Sequence, residues 1–175
     1  RTLLVMALGP VAPTLVGSVE AHGTGTALGD PTEAGALVAV HRTRMSPLVV
    51  GAAKANVGHS EAASGQIGLL KVQRLLADIV ASGNAHLRAL NPLVDERLAS
   101  SSSAFELSTQ VGEARGTVGS VSSFGYSGTI AHAVLRCAAG ATDAASASTG
   151  RQSAVYKRRA FEWRDPVHPF ARVSL

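Results

Sequence analysis

The stretch EAHGTGTALGDPTEAGAL, residues 20–37, decides how the rest of the chain is interpreted. An apolar segment, residues 14–21, leads into it, and its small and branched side chains predict a buried strand. A loop of glycines and threonines follows, and then Asp30 and a proline, the residue types favoured at a helix N-cap and first turn. The sequence therefore predicts a strand, a loop that contains His22, and a helix over about residues 31–43.

A similar arrangement follows downstream. Residues 47–53 predict a second short strand, and the loop after it contains Lys54 and His59. Ser60 is a candidate N-cap for a helix over about residues 61–81. Because apolar side chains occur nearly all round that helix, we expect it to be buried on several sides.

The remaining segments complete a layered pattern. Residues 83–103 are predicted to be irregular, and residues 117–123 and 129–136 predict paired strands around the loop FGYSG. Strand, helix, strand, helix and two further strands together indicate a layered α/β domain over residues 1–137. The Ala/Ser/Thr/Gly-rich residues 138–153 predict a flexible linker, and residues 154–175 predict an ordered extension.

Composition limits the classes of protein to consider. The chain has 175 residues, of which 46% are apolar, which is enough for one packed domain. Only 16% of the residues are charged, so we expect part of the domain surface to be covered by a larger protein. It begins at Arg1, so we expect a fragment or a processed chain. A net charge of +4 without basic runs and interleaved aromatics does not support nucleic-acid binding. No apolar run reaches the ~18 residues of a membrane span.

Cysteine content adds one constraint. Cys137 is the only cysteine, so there is no disulfide framework, and a reducing compartment such as the cytoplasm or a plastid fits.

The two loop histidines are the candidate functional residues. His22 and His59 each lie in a glycine-flanked loop after a predicted strand, where α/β sheets bind ligands. Two imidazoles from such loops can donate hydrogen bonds to one developing oxyanion, and Lys54 can bias their protonation. From the residues alone, this hypothesis and a purely structural role stay equally open. The other histidines share no metal-ligand spacing, so no metal is expected.

Four motifs extend the interpretation. EAHGTGT, GDPTE, KANVGH and SSFGYSGT occur in this order within residues 17–136. Together they resemble the second half of the β-ketoacyl synthase family, closest to the modular polyketide-synthase type. The resemblance implies the C-terminal half of a thiolase-like layered α/β fold, here with an extended C-terminal tail. It also implies decarboxylative Claisen condensation of an acyl thioester with malonyl on acyl carrier protein, in polyketide or fatty-acid synthesis.

The resemblance implies roles for individual residues. His22 and His59 match the histidines that bind the malonyl thioester carbonyl and stabilise the enolate, and Lys54 matches the lysine that supports the second histidine. Thr24 and Thr26 match the loop that binds the phosphopantetheine arm. That arm arrives on the carrier protein, so no cofactor resident on the chain is expected.

The resemblance also implies roles for residues of the SSFGYSGT motif and of the helix predicted over about residues 31–43. Phe124 and Gly125 match the glycine-rich loop at the substrate, where the backbone N–H of Phe124 helps to hold the thioester oxyanion. Asp30 and Glu33 match acidic positions with a structural role, capping a helix and bracing the loop.

The chain also departs from the family. The family nucleophile is a cysteine in an Ala-Cys-Ser-Ser type segment of the N-terminal half, which does not occur here, and Cys137 is interpreted as a packed thiol. Ile130 stands where the family usually has Asn. We therefore expect no condensation by the chain alone.

Three hypotheses follow. The first is an enzyme completed by the ketosynthase N-terminal half or by other subunits. The second is a ketosynthase-derived structural or interaction subunit of a larger assembly. The third is a module that binds acyl thioester or carrier protein without chemistry.

Overall fold

A computed structural model describes residues 1–99, 101 and 104–137. The strands are β1 (Val16–Glu20), β2 (Leu48–Gly51), β3 (Val80–Ala81), β4 (Phe105–Glu106), β5 (Gly112–Glu113), β6 (Val118–Phe124) and β7 (Ile130–Arg136). The helices are α1 (Thr2–Leu8), α2 (Gly29–His41), α3 (Lys54–Val57), α4 (Ser64–Asp78) and α5 (Pro92–Ala99). Two 3₁₀ turns, Pro13–Leu15 and Glu61–Ala63, precede β1 and α4.

The main sheet has five strands in the order β4-β2-β1-β6-β7. β1 pairs in parallel with both β2 and β6, and β2 pairs in parallel with β4. β7 returns antiparallel to β6, as the hairpin pattern of the sequence predicts. β3 and β5 form a separate antiparallel pair. The carboxyl ends of β1, β2 and β6 consequently lie at one edge of the sheet.

Helices cover both faces of this sheet. On one face, α1 and α2 contribute Leu4, Leu8 and Leu37 to a core with Val16 and Leu48. On the other face, α4 packs its apolar side on the sheet through a second cluster: Val49, Val72, Leu75, Leu76 and Val121. β1 is buried along its whole length, which is typical of a central parallel strand between two helical layers. The layered α/β fold predicted from the sequence is therefore confirmed.

Both predicted helix caps are wrong. The residue before α2 is Leu28, and the Asp30 carboxylate instead accepts a hydrogen bond from the Gly25 N–H, at 3.1 Å to one oxygen. Ser60 makes no side-chain cap, and α4 begins only at Ser64. The delay has a local cause, because the Glu61 N–H donates to the His59 ring and Glu61 has a φ of 47°.

Two further predictions need correction. Residues 83–103, predicted to be irregular, contain α5. The Asn91 side chain, just before this helix, accepts a hydrogen bond from the Leu93 N–H in its first turn. α4 is buried on one side rather than on several, since Leu70 is exposed. Within the described part of the chain, no second layer covers that side of the helix.

The predicted linker, 138–153, and the predicted extension, 154–175, lie outside the described residues. Across the part of the chain that the structure describes, no helix has the length and apolar character needed to cross a bilayer.

Candidate active site

Three strand ends bring the candidate residues together. His22 follows β1 by two residues, Lys54 begins α3 shortly after β2, and Phe124 is the last residue of β6. β1 lies between β2 and β6 in the sheet, so His22 has Lys54 on one side and Phe124 on the other. The close approach of the His22 loop to β2 requires glycine next in the chain. Gly23 has a φ of 45°, and a Cβ atom there would lie 2.7 Å from the Ala52 Cβ.

The two histidines predicted to form the site are neighbours. The ring centroids of His22 and His59 are 6.2 Å apart, and the ring planes are nearly perpendicular at 88°. The Phe124 ring lies on the other side of His22, with a centroid distance of 5.1 Å. The His22 side chain is half-buried, whereas His59 is exposed in the described part of the chain.

Backbone contacts define which ring nitrogen carries the proton. The N–H of Glu61 donates to Nδ1 of His59 at 2.9 Å, and the N–H of Phe124 donates to Nδ1 of His22 at 3.3 Å. A nitrogen that accepts a hydrogen bond has no proton of its own, so the proton of each neutral imidazole is assigned to Nε2. Both rings therefore offer an Nε2–H donor.

Lys54 supports the first histidine. Its Nζ donates to the backbone oxygen of His22 at 2.6 Å and lies 3.5 Å from Nδ1 of that ring. The resemblance had assigned this lysine to the second histidine, His59, whereas its hydrogen bonds in the structure are to His22. Burial lowers the pKa of Lys54, and the carboxylates of Glu20, Glu33 and Asp30 oppose that shift.

The charge of His22 follows from its surroundings. Burial lowers the pKa of His22 below its usual value, and the neighbouring Lys54 and His59 lower it further. This shift favours the neutral imidazole, which can donate a hydrogen bond.

Glu33 braces the His22 loop from α2. Its Oε1 accepts from the N–H of His22 at 2.9 Å and its Oε2 from the N–H of Gly23 at 3.1 Å. Burial raises the pKa of Glu33, while these N–H groups and the Ser122 hydroxyl oppose that shift. Ser122 also lies 3.0 Å from Nδ1 of His132 on β7. Burial, with a smaller effect of the His41 charge, lowers the pKa of His132 to about 4.

The predicted substrate-binding residues occupy different places. Thr24 is half-buried and lines a cavity, whereas Thr26 is exposed and its hydroxyl accepts a hydrogen bond from the Gly29 N–H at the start of α2. Gly125 lies in the turn between β6 and β7, where its N–H donates to the Thr129 oxygen at 2.6 Å. The N–H of Phe124, assigned by the resemblance to a thioester oxyanion, here donates to His22.

Ile130, the departure from the family pattern, pairs with Phe124 across the β6–β7 hairpin. Its side chain is 57% exposed.

A cavity of about 440 Å³ opens beside this edge of the sheet. Lys54, His59 and Thr24 lie at its polar side. Its other walls are largely apolar and include Leu37, Leu87, Leu90, Val94, Leu98 and Phe105. Its volume is within the range of small-molecule sites.

Sequence reasoning missed the residue that holds one wall of this cavity. Asn84 is buried, accepts a hydrogen bond from the Ala52 N–H at 2.9 Å and donates to the Ser108 oxygen at 3.2 Å. Asn56 adds a parallel contact by accepting from the Ala85 N–H at 2.9 Å. The KANVGH motif contains Asn56, but nothing in the sequence marked Asn84.

Cys137 lies at the other end of the sheet. Its N–H donates to the Thr117 oxygen beside the start of β6, whereas His22 contacts the end of that strand. Seven residue steps of ~3.3 Å, from Thr117 to Phe124, place this cysteine roughly 20 Å from His22. Among the described residues, no three His, Cys, Asp or Glu side chains converge as metal ligands.

Comparison with known proteins agrees with this fold and arrangement. Residues 4–88 match the family model described as β-ketoacyl synthase, C-terminal domain. The match begins upstream of the motifs and ends before SSFGYSGT.

Relatives and solved structures extend the match over more of the chain. Erythronolide synthase EryA2 of Saccharopolyspora erythraea is 42% identical over 134 residues, which is 75% of this chain and 4% of that protein. Polyketide synthase GfsE of Streptomyces halstedii is 40% identical over 135 residues, again 75% of this chain and 4% of that protein. The oxazolomycin ketosynthase domain OzmH KS7 of Streptomyces albus superposes with a TM-score of 0.66 at 33% identity, covering 73% of this chain and 23% of that one.

The fold and the four ordered motifs are those of a thiolase-like ketosynthase domain. The chain belongs to the β-ketoacyl synthase family, as a C-terminal part of a ketosynthase of the polyketide-synthase type. It spans only a small fraction of the polyketide synthases it matches, which are far longer proteins.

Proposed function

We propose that this domain supplies the histidine pair of a decarboxylative condensation between an acyl thioester and a malonyl thioester on acyl carrier protein. The observation that supports the proposal most directly is the placement of two imidazole donors, His22 and His59, with ring centroids 6.2 Å apart at the strand ends. The Nδ1 atoms of both rings accept hydrogen bonds from backbone N–H groups, so each ring has its Nε2–H for the substrate.

The chemistry that these donors favour is enolate formation. When the bond between the malonyl carboxylate and its α-carbon breaks, carbon dioxide leaves and the electron pair delocalises onto the thioester oxygen. Two N–H donors stabilise that oxygen, and a neutral His22 has no extra proton to quench the carbanion. The α-carbon then attacks the acyl thioester carbonyl, a carbon–carbon bond forms, and a thiolate leaves.

Within this proposal the acyl thioester is held elsewhere. Cys137 is about 20 Å from His22 by the strand geometry, too far to present an acyl group to it. The reactive cysteine therefore comes from an N-terminal ketosynthase part or a partner subunit, and the chain alone does not condense. Exposure of His59 supports the same arrangement, since a water-excluding site needs additional protein over that ring.

A chimera tests the reaction. Residues 4–137 replace the corresponding part of the OzmH KS7 domain, and carbon dioxide release from malonyl-pantetheine is measured. We expect release by the chimera, and a loss of ~10²–10³-fold in His22→Ala or His59→Ala, the usual effect of removing one oxyanion donor. Met45→Ala, at a fully exposed position on the opposite edge of the sheet, serves as the control.

A binding experiment on the chain itself separates the alternatives. Malonyl-pantetheine is titrated into the 175-residue protein while the ring signals of His22 and His59 are followed by NMR. Shifts of both rings, together with carbon dioxide release by the chimera, support the proposal. Binding without release favours a module that binds thioesters without chemistry, and no binding favours a structural subunit.

A further inference from the structure

Glu20 is a buried carboxylate at the end of β1, and its two oxygens contact two different elements. It is 5% exposed. Its Oε1 accepts a hydrogen bond from the backbone N–H of Ala53, and its Oε2 lies 2.6 Å from Nζ of Lys71 on α4. One side chain thus connects the strand before His22 with the residue before Lys54 and with the helix that follows His59.

Each of these elements presents a group of the candidate site. Ala53 directly precedes Lys54, whose ammonium donates to the His22 oxygen at 2.6 Å. α4 begins at Ser64, whose hydroxyl lies 3.3 Å from Nδ1 of His59. A displacement of α3 or α4 relative to β1 would therefore change the separation of the two imidazoles.

Two glycines leave space for the Glu20–Lys71 pair. A Cβ atom at Gly51 would lie 2.9 Å from Nζ of Lys71, and one at Gly68 would lie 3.2 Å from Cγ of Glu20. A side chain at either position would therefore have to displace a part of the ion pair.

The charge of Glu20 affects Lys54 in a way that an apolar side chain could not. A buried ion pair gives a fold little net stability over an apolar pair of the same size. The Glu20 charge also faces Lys54, and among the carboxylates that oppose the lowering of the Lys54 pKa it has the largest effect. An apolar pair in place of Glu20 and Lys71 would keep the packing, but it would not oppose the lowering of the Lys54 pKa.

We propose that Glu20, paired with Lys71, is a positioning residue that holds His22, Lys54 and His59 in their mutual arrangement. The contacts stand by themselves, and only the description of this arrangement as catalytic rests on the proposed function.

The test uses the 175-residue chain and NMR. In Glu20→Gln, which keeps the shape of the side chain and loses its charge, the Lys54 pKa is expected to fall and the proton–proton contacts between the His22 and His59 rings to weaken. Lys71→Met keeps the carboxylate and removes its partner, so the ring contacts are expected to weaken while the Lys54 pKa stays closer to the parent value.

A matched control lies on the same helix. Arg74 pairs with Asp78 at 2.5 Å on the solvent side of α4, so Arg74→Met removes a surface ion pair one turn from Lys71. It is expected to change neither the Lys54 pKa nor the ring contacts. Parent-like ring contacts in both Glu20→Gln and Lys71→Met would overturn the proposal.

The NMR measurements on Glu20→Gln and Lys71→Met do not depend on catalysis by the domain. If Glu20→Gln does not fold, Lys71→Met decides by the ring contacts alone. Carbon dioxide release by the chimera tests the proposed function separately, so either idea can fail while the other stands.

Discussion

The Oε1 atom of Glu33 accepts a hydrogen bond from the backbone N–H of His22 at 2.9 Å. This contact joins the second turn of α2 to the loop after β1, and the other oxygen of the same carboxylate accepts from the N–H of Gly23. It explains why the GDPTE segment accompanies the EAHGTGT segment: a carboxylate on the helix after the loop accepts hydrogen bonds from N–H groups of that loop.

Glu33→Gln is expected to destabilise the domain. Glutamine has one side-chain oxygen, so one of the two half-buried N–H groups loses its acceptor, at a cost of about 1–3 kcal/mol. The measurement is the free energy of unfolding in urea. Glu113→Gln, at an exposed position on β5, is the control, and equal stability of the two variants would contradict this interpretation.

The stability of the domain is expected to decrease as the pH falls from 6.5 towards 4. In that window His132 is protonated in the unfolded chain, whereas burial holds the pKa of the folded side chain at about 4. The unfolded state then binds more protons, so the free energy of unfolding decreases with decreasing pH. The full shift corresponds to ~3 kcal/mol, which partial exposure of the ring reduces to about 1–2 kcal/mol.

His132→Gln is expected to reduce this pH dependence without abolishing it, since the pKa values of His22 and His41 are also lowered by burial. His86→Gln, at an exposed histidine, is expected to leave the dependence as in the parent. Urea unfolding at several pH values measures the effect, and an unchanged profile for His132→Gln would refute it.

Two glycine substitutions are expected to act in opposite directions. Gly23→Ala places a Cβ atom 2.7 Å from the Ala52 Cβ at a φ of 45°, and the strain is expected to cost about 1–3 kcal/mol. Gly35→Ala, inside α2, places its Cβ atom 3.8 Å from the Arg97 side chain and is expected to stabilise the helix by about 0.5–1 kcal/mol. Thermal unfolding measures both, and a neutral Gly23→Ala would argue against a tight loop.

Much of the fold could be predicted from the sequence. The strands around residues 16–20, 48–51 and 118–124 were identifiable because buried parallel strands are short apolar runs, and the hairpin to β7 followed from its central turn. The meeting of His22 and His59 was predictable because both follow strands of one sheet. Helix starts were not predictable, because the expected cap Asp30 accepts from the Gly25 N–H and the Glu61 N–H donates to the His59 ring.

The features that could not be predicted depend on contacts between residues far apart in the sequence. Sequence alone could not pair Glu20 with Lys71 or show that Lys54 reaches His22, because these contacts depend on the packing of α3 and α4 on β1. The apolar residues on the outer side of α4 predicted burial, but burial requires a neighbour, and within the described residues that side has none.

The parallel pairing of β1 with β2 and β6 makes the two edges of the sheet unequal in their tolerance of insertions. At the edge with the imidazoles, one added residue would displace a ring from its backbone donor. At the opposite edge, the connection from α2 to β2 exposes 99% of Met45, and extra residues there would extend into solvent. Lineages of this domain can therefore lengthen on one side while the spacing of the imidazoles stays constant.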